Sequence, residues 1–86
     1  MTRHVETDKY ATNPYISALR EAITAKRIAA EHDAQAARQL DEACRRARRE
    51  GLIPIAHIAR ELHQERYRVY EAIARAEQNP ENNVQN

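Results

Sequence analysis

The stretch "IARELHQERYRVYEAI", Ile58 to Ile73, decides the fold. Ile58, Ala59 and Leu62 recur at helical spacing, as do Val69, Ala72 and Ile73, so the stretch reads as two short helices joined by a corner at His63-Gln64. Three acids, Glu61, Glu65 and Glu71, share it with Arg60, Arg66 and Arg68.

On the amino-terminal side, Pro54 can occupy a first helical turn, and Ile55, Ile58, Ala59 and Leu62 form one face of a helix from Pro54 to His63. On the other side a helix from about Glu65 to Glu77 turns Val69, Ala72, Ile73 and Ala76 inward and stops before Asn79-Pro80. Residues 79–86 offer nothing to bury and read as a disordered tail. The lone glycine, Gly51, follows "RRARRE" and reads as the left-handed residue that ends a preceding helix, whose arginines suit the negative end of the helix dipole.

Further upstream, residues 1–12 are polar and aperiodic and read as a disordered arm. Asn13-Pro14 is a helix start signal, and from Tyr15 to Glu50 neither glycine nor proline interrupts a run rich in Ala, Glu, Gln and Arg. Residues 13–50 are therefore expected to be helical. Ile16, Leu19, Ile23, Lys26, Ala30, Asp33, Ala37, Leu40, Cys44 and Ala47 follow steps of three and four, a heptad seam with two polar intrusions. A second stripe, Ala18, Ala22, Ala25, Ala29 and Ala36, permits close helix approach. "EHDAQ", Glu31 to Gln35, holds the weakest helix formers, and Asp33 could cap a new helix. The run is one long helix, or one kinked or split near His32-Asp33. The expected fold class is all-α: this long helix leads into a three-helix unit completed by residues 52–78.

A chain of 86 residues with one glycine, no tryptophan and no phenylalanine has room for one small core. Large aliphatic residues are sparse, so an isolated monomer would bury little apolar surface and self-association would relieve that. One cysteine, Cys44, excludes an intramolecular disulfide framework and a Cys-based zinc cluster. No apolar run spans a bilayer or forms a secretory h-region, and the expected setting is the cytoplasm. The net charge is only +1, but Arg45 to Arg68 carries seven arginines against three acids. Arginine outnumbers lysine twelve to two, which suits bidentate contacts and equally fits a GC-rich genome.

"IPIAHIARELHQERYRVYEAIARA", Ile53 to Ala76, resembles the helix-turn-helix of bacterial and phage DNA-binding proteins. The matching pieces are the small Ala59 where the helices cross, Leu62 four residues after Ile58, Val69 and Ile73 at buried positions, and Arg66 near the start of the second helix. Two positions depart from the pattern: His63 stands where the family usually has glycine, and Gln64 where a small aliphatic is usual. "RQLDEACRRARREG" then supplies the unit's first helix, with Leu40, Ala43, Cys44 and Ala47 closing the core.

The resemblance implies that the helix 65–77 lies in the major groove with its amino-terminal residues at the base edges. That nominates Glu65, Arg66, Tyr67, Tyr70 and Glu71 for base contact. Arg66 could donate twice to guanine, and Glu65 or Glu71 could accept from a cytosine amino group. Phosphate contact would fall to Arg48, Arg49, His57, Arg60 and Arg68. The plain alternative for the arginines is a solvated face of weak ion pairs, such as Arg68 with Glu65 or Glu71 and Arg75 with Glu71. For Tyr67 and Tyr70 it is that one of them caps the edge of the core.

Nothing points to an enzyme: Ser17 has no evident base partner, Cys44 lies on an apolar face, and no glycine-rich phosphate loop is present. His57 and Glu61 share a helix face but supply only two ligands, so no metal and no cofactor are expected, nor a small-molecule effector or a membrane partner. The expected function is a small sequence-specific protein on double-stranded DNA, a transcriptional regulator or an accessory factor of a phage or plasmid. It would act as a homodimer joined through Ile16, Leu19 and Ile23. The alternative is a helical protein-interaction module, an antagonist or adaptor of a host regulator, with no DNA role.

Overall fold

The computed structural model describes residues 10–29 and 34–78. Within them the chain forms four helices and no strand: α1 (Pro14–Ala29), α2 (Ala34–Arg49), α3 (Ile55–Leu62) and α4 (Arg66–Gln78). None of them is long and apolar enough to cross a membrane.

Asn13 starts α1 as its residue type and place suggest. Its Oδ1 accepts the N–H groups of Tyr15 and Ile16 at 2.8 and 3.2 Å, while Pro14 fills the first position, where an N–H would have had no helical partner. Just before it, Tyr10 to Thr12 form a turn closed by Asn13 N–H on the carbonyl of Tyr10. Tyr10 packs against the core, so the expected arm of residues 1–12 is structured at its last three positions; residues 1–9 lie outside the described residues.

The described residues between 14 and 49 form two helices, α1 and α2, packed against each other. The second folds back along the first, so that Arg46 near the end of α2 stands over the ring of Tyr15 at the start of α1, 5.8 Å from its centroid. The two halves of the heptad seam explain this. Ile16, Leu19 and Ile23 from α1 meet the same core as Leu40, Cys44 and Ala47 from α2, and the apolar stripe is satisfied inside one chain. Ile16 and Leu19 are fully buried, which removes them from the expected dimer interface; Ile23 is partly buried beside them. Burial of each of these two side chains contributes about 1.5–3 kcal/mol to the fold. The proposed Asp33 cap and the tail 79–86 lie outside the described residues.

The remainder of the core comes from Ile53, Ile55, Ile58, Ala59, Val69, Ala72 and Ile73. Cys44 is fully buried among them, and that burial, reinforced by the charge of Asp41, pushes its thiol up to about 12. It is a small apolar core residue, not a reactive one.

The exit from α2 departs from the expectation for Gly51. Gly51 does not adopt the left-handed backbone; Leu52 does, at φ 54°. Glycine is required at 51 for a steric reason instead: a Cβ there would lie 2.7 Å from Tyr15 Cδ2 and 2.9 Å from the carbonyl oxygen of Ala47. The left-handed step at Leu52 lets Ile53 N–H reach the carbonyl of Ala47, and Arg48 Nη1 in turn donates to the carbonyl of Ile53 at 3.3 Å. A leucine in this conformation costs about 1–2 kcal/mol relative to glycine.

Candidate nucleic-acid interface

The corner between α3 and α4 sets how α4 is presented, and His63 makes it. His63 takes the left-handed conformation, φ 57° and ψ 42°, at the position where the resembled motif carries glycine. Its N–H bonds the carbonyl of Arg60 at 3.2 Å, and Gln64 N–H bonds that of Ala59 at 3.0 Å. These are the two hydrogen bonds of a Schellman motif, so the carbonyls of Ala59 and Arg60 are satisfied despite the Cβ. The departure from glycine therefore adds strain at one residue and leaves the corner closed. Ala59, only 5% exposed, is small enough for α3 and α4 to approach.

Val69, Ala72, Ile73 and Ala76 anchor α4, as the spacing predicted. At 100° per residue the opposite side of the helix then runs from Arg66 and Tyr70 through Tyr67 and Ala74 to Glu71, with Arg68 on the far flank. Glu65, Arg66, Tyr67, Tyr70 and Glu71 are all exposed, so the five residues nominated for base contact share one accessible surface. Tyr67 and Tyr70 are 56% and 60% exposed, and neither caps the core. Arg68 lies over the Tyr67 ring at 5.5 Å. Arg68 and Glu71 also border a cleft of about 290 Å³ shared with Lys26, Asp41 and Arg75.

The cations assigned to phosphate contact divide into two groups. Arg60 and Arg68 are exposed and make no ion pair within the described residues. Arg48 is half-buried and held by the Ile53 carbonyl. Arg49 grips Glu77 across the ends of α2 and α4, Nε to Oε2 at 2.7 Å and Nη2 to Oε1 at 3.3 Å, which holds the Glu77 carboxyl below the usual range. That pair is open to solvent and can be exchanged at little cost. Arg75 pairs with Asp41 at 2.9 and 3.0 Å instead of with Glu71.

His57 does not fit the phosphate role. Its ring packs on Tyr10 with centroids 4.4 Å apart, and its buried Nε2 lies 3.2 Å from Glu61 Oε2. Burial lowers its pKa, Glu61 opposes that shift, and Arg60 and Arg20 add to it. The uncharged ring offers no cation to DNA. Glu61 in turn accepts two hydrogen bonds from Arg20, Nε to Oε1 at 2.9 Å and Nη2 to Oε2 at 2.8 Å, which lowers its pKa. With both Glu61 oxygens engaged by the Arg20 guanidinium, Glu61 links α3 to α1 while His57 packs beside it on α3.

Sequence reasoning missed Tyr10, Arg20, Asp41 and Glu77 as partners. Arg20–Glu61, Arg75–Asp41 and Arg49–Glu77 join residues 41, 34 and 28 positions apart, and no local spacing could have announced them. Their effect is to pair several surface charges with acids and leave Arg66 with no ion-pair partner among the described residues. Compared with protein-family models, with curated proteins and with solved structures, the chain matches none.

Proposed function

We propose that the chain is a small sequence-specific DNA-binding protein of the helix-turn-helix kind, a transcriptional regulator or a phage or plasmid accessory factor. In this reading α2, α3 and α4 are its three-helix unit and α4 enters the major groove. The observation that carries it is the outward face of α4: Arg66, Tyr67 and Tyr70 stand exposed on a helix whose orientation is fixed by the closed corner at His63.

Arg66 donates to a guanine edge, Tyr67 and Tyr70 supply contact to a thymine methyl or a phosphate, and Glu65 and Glu71 accept from cytosine amino groups. Those acids also weaken binding to arbitrary sequence, which rests on phosphate contacts. Arg60 and Arg68 provide the phosphate contacts directly, and Arg49 does so after exchanging Glu77 for a phosphate. The mechanism is occupancy of a site, by occlusion or recruitment, and requires no chemistry.

The test is the affinity of Arg66→Ala for the best duplex recovered by selection. Loss of one bidentate base contact should cost about 1–3 kcal/mol at that site. Stability should stay within about 0.5 kcal/mol, because the side chain is exposed. Unchanged affinity would favour the interaction-module reading.

A further inference from the structure

Arg20, Arg49 and Arg75 spend their guanidinium donors on carboxylates, and Arg68 does not. Its guanidinium lies over the Tyr67 ring, Cζ 5.5 Å from the centroid, and makes no ion pair with Glu65 or Glu71, the acids three residues to either side. Within about 6 Å of a ring face a guanidinium is attracted by the ring quadrupole, and that attraction engages no carboxylate. Arg68 is thus held while its donors stay unspent. Arg46 also stands over a ring, that of Tyr15 at 5.8 Å, but its Nε is turned to Glu50 Oε1 at 3.3 Å.

Place and orientation agree. Tyr67 lies in the middle of the outward side of α4, opposite the buried Val69, Ala72, Ile73 and Ala76, and Arg68 lies about 100° further round, on the flank of the first turn. A helix seated in a groove about 12 Å wide turns its flanks toward the phosphate walls. We propose that Tyr67 is a positioning residue for Arg68, its ring holding the guanidinium on the flank of α4 with the N–H donors free for a phosphate of the duplex. This role rests on the DNA-binding reading of α4 and deepens it, because Tyr67 then acts through its neighbour in addition to any contact of its own. An arginine moving freely in water loses rotamer freedom when it grips a phosphate, and one already held over a ring loses less. The strength of an exposed cation–π contact sets the gain at about 2- to 5-fold in affinity.

A double-mutant cycle on the best duplex recovered by selection tests this. Arg68→Ala should weaken binding to all duplexes alike and lower the salt slope by about one. Tyr67→Leu should cost about 2- to 5-fold more in the wild-type background than in Arg68→Ala, and Tyr67→Phe, which keeps the ring, should recover that difference. In the protein without DNA, the Arg68 Nε proton should carry a ring-current shift in its NMR resonance that Tyr67→Phe keeps and Tyr67→Leu abolishes. Equal costs of Tyr67→Leu in the two backgrounds, or an Arg68 resonance unmoved by Tyr67→Leu, would overturn the proposal while leaving DNA binding intact. So would an Arg68→Ala loss confined to one base position, which would make Arg68 a base reader. A wild type that selects no duplex would overturn the DNA-binding reading and the proposal with it.

Discussion

Gly51, Leu52 and His63 carry the chain round its corners, and each does so for a different reason. A lone glycine after an arginine-rich helix marks the helix end correctly, but its conformation cannot be read from its identity. Gly51 is needed where Tyr15, thirty-six positions away in sequence, presses on the backbone, and the left-handed step falls one residue later. Gly51→Ala should therefore destabilise the fold by about 1–3 kcal/mol in urea unfolding, because one of the clashing atoms is a backbone oxygen that cannot swing aside. A neutral result would show that Tyr15 does not hold this position. His57 gives a second test at this scale. Tyr10, Arg20, Arg60 and Glu61 surround it, and its pKa is lowered from the ordinary 6.5, chiefly by burial. The folded chain thus binds that proton less readily than the unfolded one, so stability is full above about pH 6.5 and falls as the pH drops below it. Glu61, whose pKa is lowered by Arg20, keeps its contribution above the ordinary carboxylate value and loses it only at more acid pH. Between pH 7.5 and 5.5 the urea midpoint should fall in wild type and fall less in His57→Gln; parallel curves would remove His57 from the account.

The helices themselves were legible because their signals are local. Asn13-Pro14 caps α1, the 3.6-residue spacing of Ile55, Ile58 and Ala59 fixes the face of α3, and Val69, Ala72, Ile73 and Ala76 fix that of α4. The relation between α1 and α2 was not legible. An apolar stripe at heptad spacing is equally satisfied by a second chain or by the same chain folded back, and only the packing of α2 against α1 decides. The structure makes the stripe internal, so Leu19→Ala should cost about 2–5 kcal/mol and lower stability equally at all protein concentrations. A cost that vanished on dilution would instead return Leu19 to an interface between copies.

At the scale of the whole molecule, a net charge of +1 says little, because the charges are sorted by tertiary pairing. Bidentate pairs to Glu61, Glu77 and Asp41 match Arg20, Arg49 and Arg75, while Arg60, Arg66 and Arg68 are exposed around the corner with no ion-pair partner among the described residues. The nominated surface of α4 was readable from period alone, since burial of four residues leaves the rest outward. The neutral, enclosed state of His57 was not, because it depends on Tyr10 and Arg20 arriving from elsewhere in the chain. The central claim is that this outward face reads sequence in the major groove. Selection of random duplexes on the purified protein at about 0.15 M salt, where screening weakens phosphate contacts, tests it most directly. The account predicts an enriched motif containing a guanine whose preference relaxes in Arg66→Ala; recovery of no motif, or of one that Arg66→Ala reads unchanged, would contradict it.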